Sequence, residues 1–379
     1  MKKIKVMTVF GTRPEAIKMA PVIKEIERNS DVFEPIVTVT GQHREMLDQV
    51  LELFGIKADY DLNIMKERQT LVEVTKNVLG ELDEVFKNNK PNIVLVHGDT
   101  TTSFAASLAA FYNHITIGHI EAGLRTYNKY SPFPEEMNRG MTSVLADLHF
   151  APTIEARQNL LNENINQNNI FVTGNTVIDS LKITVKNAYT HNLLAAEGRL
   201  ILLTVHRREN IGQPIKNVFN AIKRLVEDFQ DIYVIYPVHL NPEIRKLAEE
   251  ALKNCPRVYL IDPIDAFDFH NLMAKSYVIL TDSGGVQEEA PSLGVPVIVL
   301  RDTTERPEGL NAGTLRLVGT NENKIYEEVK QLLVNGELYN DISTAVNPYG
   351  DGKASERIVD VIKYHYGLRE NKPSEFTLY

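Results

Sequence analysis

Carboxylates and guanidiniums crowd one stretch of this chain, His119-Ile-Glu121-Ala-Gly-Leu-Arg125 followed by Ser131-Pro-Phe-Pro-Glu135-Glu136-Met-Asn-Arg139. Residues 115–120 alternate and are rich in β-branched types, which predicts a strand with Glu121 at its carboxyl edge, where open α/β sheets meet their ligands. Pro132 and Pro134 stiffen the next loop, and a helix starting near Pro134 would set Glu135 and Arg139 one turn apart on one face. A second apolar strand, residues 93–96, runs into His97-Gly-Asp99-Thr-Thr101 in the same manner. Asp99, Glu121 and Glu135 would thus converge. A lone acid at a helix start is as readily a cap as a catalyst. Three acids beside apolar strands cost desolvation energy unless paired or used, and a shared site drives their pKa values apart into acid and base roles.

The second half carries a different pattern. A strand over residues 277–281 leads into Asp282-Ser283-Gly284-Gly285-Val-Gln-Glu-Glu289-Ala290, where paired glycines let backbone amides approach an anion at a helix start. Glu289, one helical turn beyond Gly285, would hydrogen-bond a sugar hydroxyl next to phosphates. A plain strand-to-helix turn would use the same glycines for close packing. Cations come from elsewhere: Gly11-Thr12-Arg13-Pro14-Glu15-Ala-Ile-Lys18 sets Arg13 and Lys18 at a helix N-terminus, and His206-Arg207-Arg208-Glu-Asn210 offers a histidine and two guanidiniums.

The elements that must position these residues alternate strand and helix twice over. Strands are expected over residues 4–10, 35–40, 93–96, 115–120, 148–151 and 170–173, with helices over 14–29 and 69–89 among those between them. A polar, poorly periodic stretch at 186–198 reads as a linker. Strands over 200–205, 232–237, 257–261, 277–281 and 295–300 follow, with helices over 214–229 and 242–253. The expectation is a first Rossmann-like domain over 1–185 and a second over 199–353. The two doubly wound domains would face a central cleft, and a helix within 354–379 would pack back on the first.

Composition narrows the chemistry. With 379 residues, 43% hydrophobic and 24% charged, the chain has the make-up of a soluble globular protein, and a net charge of -9 argues against an extended nucleic-acid footprint. A single cysteine, Cys255, forms no internal disulfide and suits a reducing cytoplasm. No signal-peptide core and no membrane-length apolar run is evident. There is no G-x-G-x-x-G bed for a nicotinamide dinucleotide, and Tyr326-x-x-x-Lys330 reads as a chance match. The ten histidines lack metal-ligand spacing, and no G-x-S-x-G elbow occurs. No cofactor and no metal are expected.

Taken together, the motifs Phe10-Gly-Thr-Arg-Pro-Glu-Ala-Ile-Lys18, His97-Gly-Asp-Thr100, His119 to Thr126, Pro134-Glu-Glu-Met-Asn-Arg139, His206-Arg-Arg-Glu-Asn210, Asp282 to Glu289 and Thr304-Glu-Arg-Pro-Glu308 resemble those of the non-hydrolysing bacterial UDP-N-acetylglucosamine 2-epimerases. Their order spans nearly the whole chain. The resemblance implies the GT-B fold, a homodimer, and reversible conversion of UDP-GlcNAc to UDP-ManNAc, which supplies N-acetylmannosamine for wall and capsule polymers.

The family's route fits the acids. C2 of the sugar has no neighbouring carbonyl, so loss of UDP from C1 must acidify its proton. A carboxylate then removes it, giving 2-acetamidoglucal, and reprotonation on the other face with return of UDP inverts C2. Asp99, Glu121 and Glu135 are the implied acid/base groups, with the face served by each left open. His206, Arg13 and Lys18, with Arg139, would stabilise the departing diphosphate. Ser283, Gly284 and Gly285 would hold phosphate oxygens, Glu289 the ribose, and backbone near Phe269 the uracil. Gln42, Arg68, Arg207 and His239 stand where a second UDP-GlcNAc would bind as an activator. A GT-B glycosyltransferase, a hydrolysing epimerase releasing ManNAc and UDP, and a nucleotide-sugar sensor are the rivals.

Overall fold

Val6, Met7, Val9 and Phe10 are fully buried, and they form the middle of a sheet because a parallel strand covered on both faces needs a nearly continuous apolar run. The computed structural model describes residues 3–41, 44–64, 69–304 and 306–378, leaving aside the side chains of residues 44–46 and 195. The chain divides into two units, Met1–Ile183 with Gly350–Thr377 and Thr184–Tyr349.

The first unit is built on seven parallel strands: β1 (Ile4–Phe10), β2 (Phe33–Val39), β3 (Tyr60–Asp61), β4 (Ile93–His97), β5 (Thr116–Ile120), β6 (Leu148–Ala151) and β7 (Ile170–Val172). Their order across the sheet is β3-β2-β1-β4-β5-β6-β7. The order reverses between β1 and β4, so the loops leaving the carboxyl ends of these two strands flank the crevice where doubly wound sheets bind ligands. Register sets the height of each loop: His97 at the end of β4 is level with Ile120 at the end of β5, so Gly98 and Glu121 leave the sheet side by side. The two-residue β3, absent from the six strands expected, adds an edge.

The second unit has six parallel strands, β8 (Arg199–Thr204), β9 (Ile232–Pro237), β10 (Val258–Ile261), β11 (Val278–Thr281), β12 (Val297–Val299) and β13 (Leu315–Leu317). They lie in the order β10-β9-β8-β11-β12-β13, with the reversal between β8 and β11. The three-residue β13 is the strand not expected. Both sheets have the Rossmann pattern of a GT-B protein.

Helix Arg13–Arg28 shows how the first loop is held. Thr12 and Glu15 form a capping box, Pro14 lies in the first turn, and Ala16, Met19, Val22, Ile23 and Ile26 are buried. These side chains share a core with Ile358, Val359, Val361 and Ile362 of helix Ala354–His365. Asp179 starts that last helix by accepting from the amides of Ala354 and Ser355 at 3.1 and 2.8 Å. The stretch 186–198 is fastened to the second unit at its beginning, where Lys186 N donates to Asn271 Oδ1 at 2.8 Å. Among the described residues no helix is long and apolar enough to cross a membrane.

Candidate active site

Glu121 follows β5 in the left-handed region, φ +61°, a conformation that costs a residue with a Cβ about 1–3 kcal/mol and turns its side chain back over the end of the sheet. The carboxylate is nine-tenths buried and its Oε2 is contacted by Lys18 Nζ from helix Arg13–Arg28. Asn175 Nδ2, in the loop after β7, donates to the same oxygen at 3.0 Å. His97 Nε2 stands 3.8 Å away. Burial pushes the His97 imidazole down to about 4, so it is neutral at pH 7. Beside it His119 Nε2 donates to the Gly98 carbonyl at 2.7 Å, and burial pushes this ring down to about 3.

Asp99 and Arg139 form the second pair. Arg139 Nε donates to Asp99 Oδ2 at 2.9 Å with Nη2 paired to the same oxygen at 2.9 Å, and Asn138 Nδ2 donates to the Asp99 carbonyl at 2.9 Å. Arg139 Nη1 also donates to Glu136 at 3.0 Å. Glu136 is buried and accepts from the amides of Thr126 and Tyr127 at 3.0 and 2.8 Å, so it pins the loop that follows Glu121. Glu135 opens helix Glu135–Leu145, partly exposed and without a hydrogen bond or ion pair among the described residues.

Buried Glu15 ties the loops after β1 and β4 together. Its Oε2 accepts from Gly11 N at 3.1 Å and from Thr12 N and Thr12 Oγ1 at 2.8 Å, while its Oε1 accepts from Thr100 Oγ1 at 2.7 Å. Thr100 in turn caps helix Thr101–Tyr112. Burial raises the Glu15 pKa, against the pull of those donors. Arg13, at the first position of its helix, is partly exposed and makes no hydrogen bond or ion pair among the described residues.

In the second unit the anchor is Asp282, fully buried after β11. Its carboxylate accepts from the amides of His206 and Arg207, at 3.0 and 2.9 Å, and from Asn210 Nδ2 at 2.9 Å. The loops after β8 and β11, on either side of the strand-order reversal, are thereby locked together. His206 Nδ1 lies 3.2 Å from Asp282 Oδ1, and the ring stacks on His239 with centroids 5.7 Å apart. Burial lowers the His206 pKa from the usual histidine value, more than Asp282 raises it. Arg207 Nε donates to the Asp282 carbonyl at 3.2 Å. Ser283 precedes the short helix Gly284–Glu289. A Cβ on Gly284 would come within 3.1 Å of the Arg306 guanidinium, and Arg306 is itself paired with Glu288 at 2.9 Å. Glu289 Oε2 lies 3.9 Å from His270 Nε2, the residue after Phe269 on helix Ala266–Lys275.

A family model described as UDP-N-acetylglucosamine 2-epimerase matches residues 24–363. The chain belongs to the UDP-N-acetylglucosamine 2-epimerase family. Its sequence is 62% identical to the UDP-N-acetylglucosamine 2-epimerase of Bacillus subtilis, with both chains covered in full. The structure of S. aureus MnaA with UDP matches with a TM-score of 0.91 at 53% identity, over 99% of this chain and 100% of that one. The UDP-GlcNAc 2-epimerase from Neisseria meningitidis bound to UDP-GlcNAc matches with a TM-score of 0.85 at 51% identity, over 95% and 100%.

In this member of the epimerase family, the structure brings Lys18 to Glu121 and Arg139 to Asp99. It does not join Glu135 to Arg139, whose partners are Asp99 and Glu136. Arg207 and His239 flank His206, whereas Gln42 and Arg68 lie outside the described residues. Asn175, Glu15 and Glu136 in the first unit, and Arg306 in the second, contact candidate residues of their own unit without having been given a role from sequence. Glu15 had a local signal, the Thr-x-x-Glu capping spacing, whereas Asn175 acts through Glu121, 54 residues away.

Proposed function

We propose that the chain is a non-hydrolysing epimerase that interconverts UDP-GlcNAc and UDP-ManNAc. The observation that carries this reading is Glu121, a largely buried carboxylate at the carboxyl edge of β5 with a cation and an amide fixed on one oxygen. Such a group is built to exchange a proton with a carbon acid rather than to cap a helix. The C1–O bond to UDP breaks with its electron pair leaving on the diphosphate, and the C2 proton passes to a carboxylate, which gives 2-acetamidoglucal. Return of a proton to the opposite face of C2 and of the diphosphate oxygen to C1 completes the inversion. Asp99, Glu121 and Glu135 supply the acid and base.

His206, Arg13 and Lys18, with Arg139, would stabilise the departing diphosphate. Burial favours the neutral His206 ring, and a dianion beside it would raise its proton affinity. Ser283, Gly284 and Gly285 would take phosphate oxygens, Glu289 the ribose and the backbone near Phe269 the uracil. Arg207 and His239 would contribute to an activator site for a second UDP-GlcNAc. A homodimer is supported by an apolar face on helices Leu71–Asn89 and Thr101–Tyr112, where Val72, Phe111 and Tyr112 are 76%, 55% and 62% exposed. The cellular setting would be a cytoplasm that makes N-acetylmannosamine-containing polysaccharide.

Proton NMR of the protein with UDP-GlcNAc in deuterated water, without added metal or nicotinamide, tests the reading. UDP-ManNAc bearing deuterium at C2 is the expected product. Free ManNAc with UDP would instead identify a hydrolysing enzyme, and an unchanged spectrum would overturn the epimerase assignment.

A further inference from the structure

We infer that Asn175 is a positioning residue for proton transfer, its side-chain amide aimed so that Glu121 enters the reaction as a proton acceptor. This rests on the role proposed above for Glu121. Asn175 is buried at 3% exposure in the loop between β7 and helix Thr176–Thr184. Its Oδ1 accepts from Val177 N at 3.1 Å. A backbone N–H only donates, so this bond fixes the orientation of the amide and turns its NH₂ toward Glu121 Oε2, 3.0 Å away. A Cβ on Gly350 would lie 3.4 Å from Asn175 N, which leaves the loop little room to withdraw.

The other groups around Glu121 make the amide's neutrality count. Lys18 arrives from helix Arg13–Arg28, His97 from the end of β4, and Asp99 lies two residues beyond His97. His97 is held neutral by its burial, so Lys18 is a cation on this carboxylate and Asn175 an uncharged donor to it. Donors on a carboxylate favour its ionised form. Asn175→Asp keeps the size of the side chain and its bond from Val177, yet sets a second carboxylate oxygen against Glu121. Two acids so close share a proton, and the pair gives it up only at higher pH. A base works above the pH at which it loses its proton, so the acid limb of the rate profile must move up.

The test is kcat, KM and UDP affinity from about pH 5 to 9 for the wild type, Asn175→Asp and Asn175→Ala, with Glu121→Gln alongside. For Asn175→Asp the acid limb of kcat/KM is expected to rise by about one pH unit or more, with UDP affinity within about twofold of wild type. Asn175→Ala is expected to lower kcat about tenfold with KM nearly unchanged. An acid limb that stays in place, or a loss equal at every pH and shared by UDP affinity, would overturn the inference. Should Asn175→Asp fail to fold, an unchanged kcat in Asn175→Ala overturns it as well. An active Glu121→Gln would instead sink the underlying role of Glu121, whereas an inactive one with an unmoved Asn175→Asp profile sinks only the role of Asn175.

Discussion

The two units hold their anions by different means. In the first, Glu121 and Asp99 face Lys18 and Arg139, side-chain cations from other segments, and keep 10% and 27% of their side-chain surface exposed. In the second, Asp282 is wholly buried and satisfied mainly by the amides of His206 and Arg207 and by Asn210. A carboxylate bound by main-chain donors with no path to solvent is part of the framework. One that meets a side-chain cation at a partly exposed edge can change its proton affinity when that cation turns to a ligand. Under the proposed function, the contrast would separate a unit organised for proton transfer from one organised to present backbone to a diphosphate.

The sharpest way to break that contrast is to neutralise the first pair of acids. Glu121→Gln and Asp99→Asn should each lower turnover by about 10²–10⁴-fold while UDP affinity, read by calorimetry, stays near wild type. Full turnover in both would make these acids as architectural as Asp282. Next in size, Asp282→Ala strips the acceptor from two amides and from Asn210, and should cost about 3 kcal/mol of stability in urea unfolding together with weaker UDP binding. A variant as stable as wild type would show that the framework lies elsewhere.

A third effect is a pH dependence lodged in the first unit. Burial lowers His97, His119 and His149 to about 4, 3 and 4. The unfolded chain therefore binds protons that the folded chain refuses. Stability is complete above pH ~6.5 and is lost as the pH falls toward these depressed values, by up to about 1.4 kcal/mol per pH unit for each ring. Urea unfolding at successive pH values should show the slope, and His149→Asn should flatten it. An unchanged slope in that variant would remove His149 from the account.

Local pattern made much of this legible. The alternation before Glu121 and the apolar run before Asp282 put both acids at carboxyl ends of strands, as β5 and β11 have them. The strands β3 and β13 escaped because Tyr60–Asp61 is too short and too polar to read as a strand and Arg316 interrupts Leu315–Leu317, whereas the equally short β7 and β12 are wholly apolar. The ties that orient the acids escaped for another reason. Asn175 lies 54 residues from Glu121, Thr100 lies 85 from Glu15, and Arg139 lies 40 from Asp99. Such pairs exist only once β-strands far apart in the chain have been set side by side, so neither member announces its partner.

The second unit interrupts the first, since helix Ala354–His365 completes the core around Ala16, Met19 and Ile23. A ribosome making this chain at roughly 5–20 residues per second must release the whole intervening unit before that helix emerges, a wait on the order of ten to forty seconds. The apolar flank of helix Arg13–Arg28 lies open for all of that time. The nascent first unit is therefore a natural client for chaperones, and a transcript cut short after the second unit would yield a protein whose second unit is finished and whose first still lacks part of its core.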